Sequence, residues 1–489
     1  MRFGAKRRVT LVAAVALCAL PLGCGGDDET PVDDSSGIFE TVELLASGGL
    51  LAGGGGETIT AIRALAVNDN RVVAVEADLD TGGTALLLVE DGVDGGAPTV
   101  TVVIKTGQNL PNGAGVFDHV VPEDPTAYQN ENVYVDASDR VVFMANDGSA
   151  TPVTLGVFRA GTDGVVEKLA VVSDAAGGDI IVSFEPRLAC SPSGGTAFVA
   201  DLASGPTRGV FYCTGPGAIT KVALEGEEFP GAPGTYFNDA FAHVFVNDDG
   251  HVGFKVGSQG TLYQFAWRWR GGSDLMCLAW PNDLPMPGLP GATVISPTIE
   301  GVHADGRVVV SSASSSPFLR LCLHRYSDPG TAGVVVIPGA PAPSGDTFFG
   351  LAAGDLRAVP SGWVSCQASE EASGETIIFR NAGSVTEQVV RHGAPVPGGG
   401  ATITSTPRHR LGNSGRVVYA AVTDTVPMLC RMNAAGESAV VAAVGQSVPG
   451  PSTDLITAID QDHFFVNGTG GIVYTVTTNT GATLVLTGE

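Results

Sequence analysis

The sequence predicts an all-β fold, an eight-bladed β-propeller built from four-stranded repeats of about 55 residues. Three observations support this prediction. A turn of small and acidic residues recurs eight times, a Gly-Pro-Gly connector recurs between the turns, and four short apolar segments separate successive connectors. The 67 glycines, 30 prolines and abundant Val and Thr favour strands and turns over helices.

The recurring turn leads into a Val-rich strand, which is typical of a β-hairpin. Gly194, Gly250, Gly306 and Gly362 follow one another at intervals of 56 residues, a regularity that chance does not produce. The eight turns fall at residues 68–70, 136–139, 191–194, 247–250, 304–306, 360–362, 413–415 and 467–470.

The connectors divide the chain into units of about 50 residues with four predicted strands each, as in a propeller blade. In one unit the apolar segments are residues 403–406, 417–421, 428–432 and 439–444. A β-solenoid has shorter coils, and tandem β-sandwiches need about twice this length per domain. The connectors fall at residues 107–113, 226–234, 287–291, 339–345, 393–400 and 445–450.

The last unit lacks one strand, because only residues 472–476 and 482–486 follow its turn. Residues 40–46, ETVELLA, lead into the same Gly-rich connector that follows every outermost strand. The sequence therefore predicts a closed ring in which the N-terminal strand completes the last blade. Closure of this kind removes an exposed sheet edge.

Residues 1–23 are predicted to be a lipoprotein signal peptide. Three basic residues precede the apolar run 9–20, which is too short to span a bilayer, and the run ends at Pro-Leu-Gly before Cys24. That junction resembles a lipobox, in which the cysteine carries lipid, although Pro21 stands where Leu is preferred. Lipid attachment at Cys24 predicts an exported protein anchored to a membrane on the periplasmic or cell-surface side. Simple secretion is the alternative.

Residues 24–37 are acidic and small, so we expect a flexible tether before a single propeller domain at residues 38–489. Removing the signal peptide takes away four basic residues and no acidic ones. The remaining 22 Lys and Arg against 51 Asp and Glu give a net charge of −29. Such a surface excludes nucleic acid as a partner.

Six cysteines lie in the predicted propeller, and an even number in an exported protein permits disulfides. Their apolar neighbours are equally consistent with buried free thiols. Their spacing matches no metal motif. They are Cys190, Cys213, Cys277, Cys322, Cys366 and Cys430.

The turns and connectors also carry a resemblance. Residues 247–254 have the pattern Asn-x-x-Gly-x-Val-x-Phe, and with the Pro-Gly connectors they resemble uncharacterised bacterial propeller-like repeat lipoproteins. The resemblance extends over about residues 38–489 and implies a propeller fold and export. It implies no catalytic residues.

No sequence motif identifies a catalytic residue, a metal ligand or a cofactor site. The acidic turns could hold a hard cation, but Asn, Asp and Gly also stabilise hairpins, and the turns lack the full calcium loop of an EF-hand. The Gly-rich runs are not followed by Gly-Lys-Ser/Thr, which argues against a phosphate loop. The eight histidines are scattered and form no His-x-x-x-His pair.

The strongest signal for a binding site appears when the innermost strands are aligned on their turns. The residues seven positions before each turn landmark are polar in seven blades, and three are Arg out of 18 in the mature chain. In a propeller this position lines the central channel. The aligned residues are Arg63, Asn132, Arg187, His243, Ile299, Asp355, Arg408 and His463, with Arg357, Glu300 and His409 close by. We predict a ligand-binding ring at Arg63, Arg187, His243, Asp355, Arg408 and His463.

These observations favour a membrane-anchored binding or interaction scaffold whose ligand is a carboxylated or sulfated glycan, a small anion or a partner protein. One alternative is an enzyme on anionic polysaccharide, a lyase or glycosidase, with Arg holding carboxylate and His, Asp355 or Glu300 transferring protons. Another is a purely structural envelope protein.

Overall fold

A computed structural model describes residues 41–51, 56–92, 97–121, 132–147, 154–205, 207–261, 263–282, 284–315, 321–383, 385–448 and 454–487. In these ranges the chain forms strands and one 3-10 turn at Pro111–Gly113. The predicted signal peptide, Cys24 and the predicted tether lie outside the described residues.

The strands fall into eight antiparallel sheets, numbered here as blades 1 to 8 in chain order. Blade 1 contains β2 (Ile59–Val67), β3 (Val72–Leu79), β4 (Thr84–Glu90) and β5 (Thr99–Lys105), and blade 2 contains β6 (His119–Val120), β7 (Val133–Val135), β8 (Val141–Asn146), β9 (Thr154–Ala160) and β10 (Val166–Val171). Blade 3 contains β11 (Ala175–Ala176), β12 (Asp179–Cys190), β13 (Thr196–Leu202), β14 (Thr207–Cys213) and β15 (Ile219–Leu224). Blade 4 contains β16 (Ala242–Val246), β17 (Val252–Gly257), β18 (Gln264–Trp269) and β19 (Leu275–Ala279).

Blade 5 contains β20 (Val294–Val302), β21 (Val308–Ser314), β22 (Leu321–Asp328) and β23 (Thr331–Val336), and blade 6 contains β24 (Phe348–Ala358), β25 (Trp363–Glu370), β26 (Thr376–Ala382) and β27 (Val385–Arg391). Blade 7 contains β28 (Ile403–Ser405), β29 (His409–Leu411), β30 (Val417–Thr423), β31 (Pro427–Met432) and β32 (Ser438–Ala443). Blade 8 contains β33 (Ile456–Val466), β34 (Ile472–Thr478), β35 (Ala482–Thr487) and, as its outermost strand, β1 (Thr41–Ala46).

The blades form a closed ring around the innermost strands. The innermost strands contact each other in sequence from β2 through β7, β12, β16, β20, β24, β29 and β33, and β33 returns to β2. Apolar side chains on both faces of each sheet pack against the neighbouring blade, so the described core consists of eight buried clusters, one at each seam. The prediction of an eight-bladed β-propeller is confirmed.

The N-terminal strand closes the ring as predicted. β1 pairs antiparallel with β35, with Thr41 opposite Thr487 and Ala46 opposite Thr483. Leu44 and Leu45 on β1 are buried in the cluster between blades 8 and 1. Glu40, where the sequence begins this strand, lies outside the described residues.

The recurrent turn joins each innermost strand to the second strand, and all eight turns lie on one side of the ring, called here the turn face. In blade 1, Asn68 accepts a bond from the backbone N–H of Val72 at 2.9 Å and donates its amide to the backbone oxygen of Asp136 in blade 2 at 2.8 Å. In blade 4, Asn247 does the same with His251 at 2.9 Å and with His303 in blade 5 at 2.7 Å. One side chain therefore stabilises its own turn and ties it to the next blade.

Contacts of this kind run around the whole turn face. They include backbone bonds from Ala137 to Pro192 and from Ala304 to Pro360. Bonds that involve a side chain run from the backbone N–H of Ser193 to Asp248, and from Arg380 to Gly415, Arg416 to Thr469 and Asn467 to Asn68. The structural interpretation of the turns accounts for these residues.

Three buried arginines on the third strands reinforce the seams between blades 4 and 7. Arg380 is fully buried, and its guanidinium donates to the backbone oxygens of residues 415, 433 and 434 in blade 7 at 2.7–2.9 Å. Arg268 and Arg325 reach the equivalent turn of the following blade in the same way. Burial lowers the pKa of Arg325 to about 10. We call these three side chains the seam arginines.

All six propeller cysteines are free thiols, five of them buried. Burial raises the pKa of the Cys190 and Cys213 thiols to about 12, so both stay protonated at neutral pH. Within the described part of the chain, no helix combines the length and apolar character needed to cross a membrane.

Candidate functional site

A central cavity of about 320 Å³ opens where the innermost strands meet the turn face. All eight blades contribute to its wall, because each innermost strand ends there. The wall residues lie within positions 66–69, 134–137, 189–192, 245–246, 301–302, 357–360, 410–413 and 465–468. The cavity is concave and mostly apolar, as small-ligand sites commonly are.

The charged side chains on the described wall of the central cavity are Arg357, Arg410 and Asp69. Both arginines are at most 8% exposed. The guanidinium of Arg410 lies 5.4 Å from the ring centroid of Phe465 and 5.9 Å from that of Phe464, so cation–π contacts hold its orientation. Asp69 accepts a hydrogen bond from the backbone N–H of Gly468. Cationic groups therefore outnumber carboxylates on this wall, although the chain as a whole is strongly acidic.

The predicted ring lies one level deeper in the channel, where most innermost strands are irregular. Arg187, His243 and His463 fall inside register shifts of β12, β16 and β33, and Arg408 falls in the gap between β28 and β29. His243 has a positive φ of 50°. A β-bulge redirects side chains that a regular strand would alternate. Simple two-residue periodicity therefore does not describe these positions.

The structure changes the alignment of blade 1 by one residue. The left-handed position of its turn is Arg71, with φ 64°, which corresponds to Gly250 in blade 4. The residue equivalent to His243 and His463 is therefore Ala64, and Arg63 precedes it. The left-handed turn position is occupied by a residue other than glycine in blade 1, Arg71, and in blade 2, Asp139 with φ 61°. No glycine marks this position in blade 1, so the spacing of glycines could not reveal it.

Two of the predicted ring arginines have carboxylate partners. Arg63 forms an ion pair with the buried carboxylate of Glu76. The Nε of Arg408 lies 2.9 Å from Oδ1 of Asp462. The structure describes only the backbone of Asp355, which lies in the irregular part of β24 between Leu351 and Leu356.

Arg63 and His463 share a smaller pocket of about 50 Å³ between blades 8, 1 and 2, called here the side pocket. Nδ1 of His463 lies 2.9 Å from Oδ2 of Asp460, and Oδ1 of the same carboxylate accepts the His463 backbone N–H at 3.1 Å. Burial raises the pKa of Asp460, but the hydrogen bond and charge of His463 outweigh burial and leave it below its ordinary value. Phe465 lines both the side pocket and the central cavity.

Away from the side pocket, blades 3 to 5 bring together Arg187, Lys255 and Glu300. Nζ of Lys255 donates to Oγ1 of Thr298 at 3.1 Å, and Ser311 donates to Glu300. Burial raises the pKa of Glu300 to about 7, against the opposing effects of Ser311 and Lys255. Burial lowers the pKa of Lys255, and the positive charge of Arg187 lowers it further.

Sequence reasoning noted Arg357 only as a neighbour of the ring and missed Arg410. A signal for both existed, because each lies two positions after an aligned residue, Asp355 or Arg408, and so occupies an equivalent place in its blade. Among the described residues, no three His, Cys, Asp or Glu side chains gather as metal ligands would.

Comparison with known proteins identifies a family. The profile of a Family of unknown function (DUF7453) matches residues 32–317, more than half of the chain. A search of curated proteins finds no match.

Similar solved structures include a puromycin hydrolase, at 13% identity and a TM-score of 0.42, covering 86% of this chain and 58% of that one. The β-propeller domain of the Trilobed protease from Pyrococcus furiosus has 11% identity and a TM-score of 0.40, covering 78% and 98% of the two chains. The BP39L lectin from Burkholderia pseudomallei has 13% identity and a TM-score of 0.35, covering 79% and 99%. This chain thus spans just over half the length of the hydrolase, and the fold assignment depends on its own strand topology.

Proposed function

The chain belongs to the family of unknown function DUF7453, and we propose that it is a binding scaffold whose central cavity takes an anionic ligand. The observation that carries this proposal is the placement of Arg357 and Arg410 in the wall of a cavity to which every blade contributes. Guanidinium groups bind carboxylate and sulfate oxygens through paired hydrogen bonds. A carboxylated or sulfated glycan, a small anion or an acidic protein segment is consistent with this wall.

The electrostatics of the whole protein support a local rather than a general attraction for anions. Acidic residues outnumber basic ones by 25 in the full sequence, so the outer surface repels anions. The cavity wall reverses that balance where water is partly excluded, and charge interactions are stronger there. A ligand bound there should stabilise the folded ring by mass action.

Thermal unfolding with and without inorganic sulfate tests this proposal. We expect the melting temperature to rise with sulfate concentration at constant ionic strength, and Arg357→Gln with Arg410→Gln to abolish the rise. Arg270→Gln is the matched control, because Arg270 is exposed outside the cavity. An equal rise in the double variant and the wild type would place the effect elsewhere and refute the proposal.

We also propose that the scaffold is exported and lipid-anchored at Cys24, on the evidence of the signal-peptide sequence at residues 1–23. Cys24→Ser should move the protein from the membrane fraction to a soluble exported fraction. Continued membrane association of this variant would rule out lipid at Cys24 as the anchor.

A second candidate function is an enzyme, a lyase or glycosidase acting on anionic polysaccharide. The raised pKa of Glu300, about 7, favours it, because a carboxyl group that remains partly protonated near neutral pH can act as a general acid. Incubation with polyuronides should then release new reducing ends, and Glu300→Gln should prevent this. If the wild-type protein releases none, the candidate enzyme activity on these substrates is refuted.

A further inference from the structure

Resting on the proposed anion site, we infer that the side pocket is a subsite for the hydroxyl-bearing edge of a sugar, so that the ligand is an acidic saccharide. Four polar side chains line the side pocket: Arg63, Glu76, Asn132 and His463.

The side pocket offers hydrogen-bond donors and acceptors together. Nε of Arg63 is buried and has no hydrogen-bond partner among the described residues. Because Asp460 engages Nδ1 of His463, the Nε2 nitrogen of that ring is directed toward other partners, and it accepts a proton donor when the ring is neutral. A hydroxyl group both donates and accepts, so adjacent hydroxyls match such a set.

The side pocket carries carboxylates as well as donors. Glu76 in its wall forms an ion pair with Arg63, and Asp460 lies behind the His463 ring. An anion entering this pocket would meet the carboxylate of Glu76 and approach that of Asp460, which opposes its binding. A neutral polar group meets no such opposition. The side pocket therefore selects hydroxyls, whereas the central cavity with Arg357 and Arg410 selects negative charge.

Phe465 connects the two sites. Its side chain lines both cavities, and the guanidinium of Arg410 lies 5.4 Å from its ring centroid. The apolar part of the side-pocket wall also includes Leu65, Val120 and Val133, which suit the C–H surface of a pyranose ring. At about 50 Å³ the pocket admits one edge of a sugar and not a whole disaccharide. A hexuronate could thus place hydroxyls in the side pocket and its carboxylate toward the arginines.

Isothermal titration calorimetry of the full chain tests this inference with five probes: inorganic sulfate, acetate, D-glucuronate, D-galacturonate and methyl α-D-glucopyranoside. We expect at least one uronate to bind ten-fold or more tightly than acetate. His463→Ala should reduce that uronate to the affinity of acetate and leave sulfate binding unchanged. His392→Ala, on a half-buried histidine outside the pocket, is the matched control and should change neither.

The two proposals fail in different ways. If sulfate binds but uronates bind no better than acetate, or if His463→Ala leaves uronate affinity unchanged, the sugar subsite is refuted and the anion site stands. If neither sulfate nor any uronate binds, both are refuted. Binding of the neutral glucoside alone, lost in His463→Ala, would support the side pocket and refute the anion site.

Asp460→Asn separates orientation from simple contact. This variant keeps a side chain of the same size but no longer fixes the His463 tautomer by charge. We expect uronate binding to weaken while sulfate binding and the melting temperature stay close to those of the wild type. A fall in melting temperature with uronate affinity unchanged would show a purely structural role for Asp460 and would contradict the assignment of His463 as a ligand-contacting group.

Discussion

The seam arginines and the cavity arginines are the same residue type in different parts of the blade. Arg268, Arg325 and Arg380 lie on third strands and donate to backbone oxygens of the following blade. Arg357 and Arg410 lie on innermost strands and line the central cavity. The position of an arginine across the sheet thus separates side chains that tie two blades together from side chains that line the cavity.

The comparison also shows why counting cations in an acidic chain does not identify a site. Arg380 satisfies three backbone oxygens and contacts the carboxylate of Glu387 at 2.7 Å from Nε, so its charge is committed to the fold. A buried arginine with this many partners is costly to remove, because its former partners are left buried without hydrogen bonds. The cavity arginines face a space that a ligand can enter.

The largest loss of stability should come from removing the strand that closes the ring between blades 8 and 1. Deletion of residues 38–47 removes β1, with the buried Leu44 and Leu45. We expect a loss of about 4–10 kcal/mol, because each core leucine is worth about 2–5 kcal/mol. Deletion of residues 25–36 is the control and should leave unfolding in urea nearly unchanged. Equal midpoints for the two truncations would contradict the role of β1 in closure.

Substituting lysine for a seam arginine should have the next largest effect. Arg380→Lys keeps the charge but cannot reach all four groups that the guanidinium binds, so we expect a loss of about 2–4 kcal/mol in the free energy of unfolding. The exposed Arg270→Lys should cost less than about 0.5 kcal/mol. Chemical denaturation of both variants measures the difference, and similar values would show that the seam bonds contribute little.

The same substitution in the cavity should separate binding from stability. Arg357→Lys retains a positive charge but loses the planar pair of donors. We expect its melting temperature without ligand to fall less than that of Arg380→Lys, and its sulfate-dependent rise to become smaller than in the wild type. A thermal shift series in sulfate measures both quantities. An unchanged response to sulfate would remove Arg357 from the binding wall.

The smallest effect concerns the dependence of stability on pH through Glu300. Burial raises the pKa of Glu300 in the folded protein from 4.5 to about 7. The folded state therefore binds this proton more tightly than the unfolded state does. The contribution of Glu300 to the free energy of unfolding is fully present below about pH 4.5 and is lost as the pH rises through 7. Glu300→Gln cannot ionise and should lose less stability over that range. Melting temperatures of both proteins from pH 5 to 8 provide the test, and parallel curves would argue against a buried, ionising Glu300.

His303 and His324 change the stability with pH in the opposite direction to Glu300, and both are present in the wild type and in Glu300→Gln. Burial lowers the pKa of each to about 4, so their contribution is present above about pH 6.5 and is lost as the pH falls through 4. The difference between wild type and Glu300→Gln isolates the glutamate from this background.

The repeated turns made the fold predictable, because each turn depends on its own residues. Asn68 and Asn247 stabilise their hairpins locally, and that requirement appears directly in the sequence at regular spacing. The missing strand of the last unit likewise predicted the pairing of β1 with β35. The hydrogen bonds from these turns to the next blade could not be predicted, because they depend on how the blades are placed around the axis.

The candidate site was less predictable, because its residues lie where the strands depart from regularity. The irregular stretch of β33 positions His463, and the positive φ of Arg71 shifts the register of blade 1 against the other blades. Neither feature has a glycine to mark it. Alignment by spacing still brought Arg63 and His463 together on one list, and the structure brings them into one pocket. Their binding role stays a prediction.

The closing pair of strands also governs when the ring can be completed during synthesis. β1 leaves the ribosome more than 400 residues before β35, yet Thr41 lies opposite Thr487 in the folded protein. Blades 1 to 7 can form in order from local hairpins, whereas the last seam depends on a contact between distant parts of the chain, which is slow to form. Until then β1 is an unpaired edge that could add to another chain. Chains that stall before β35 would keep that edge, so the pairing of β1 with β35 restricts full protection from self-association to chains that include both strands.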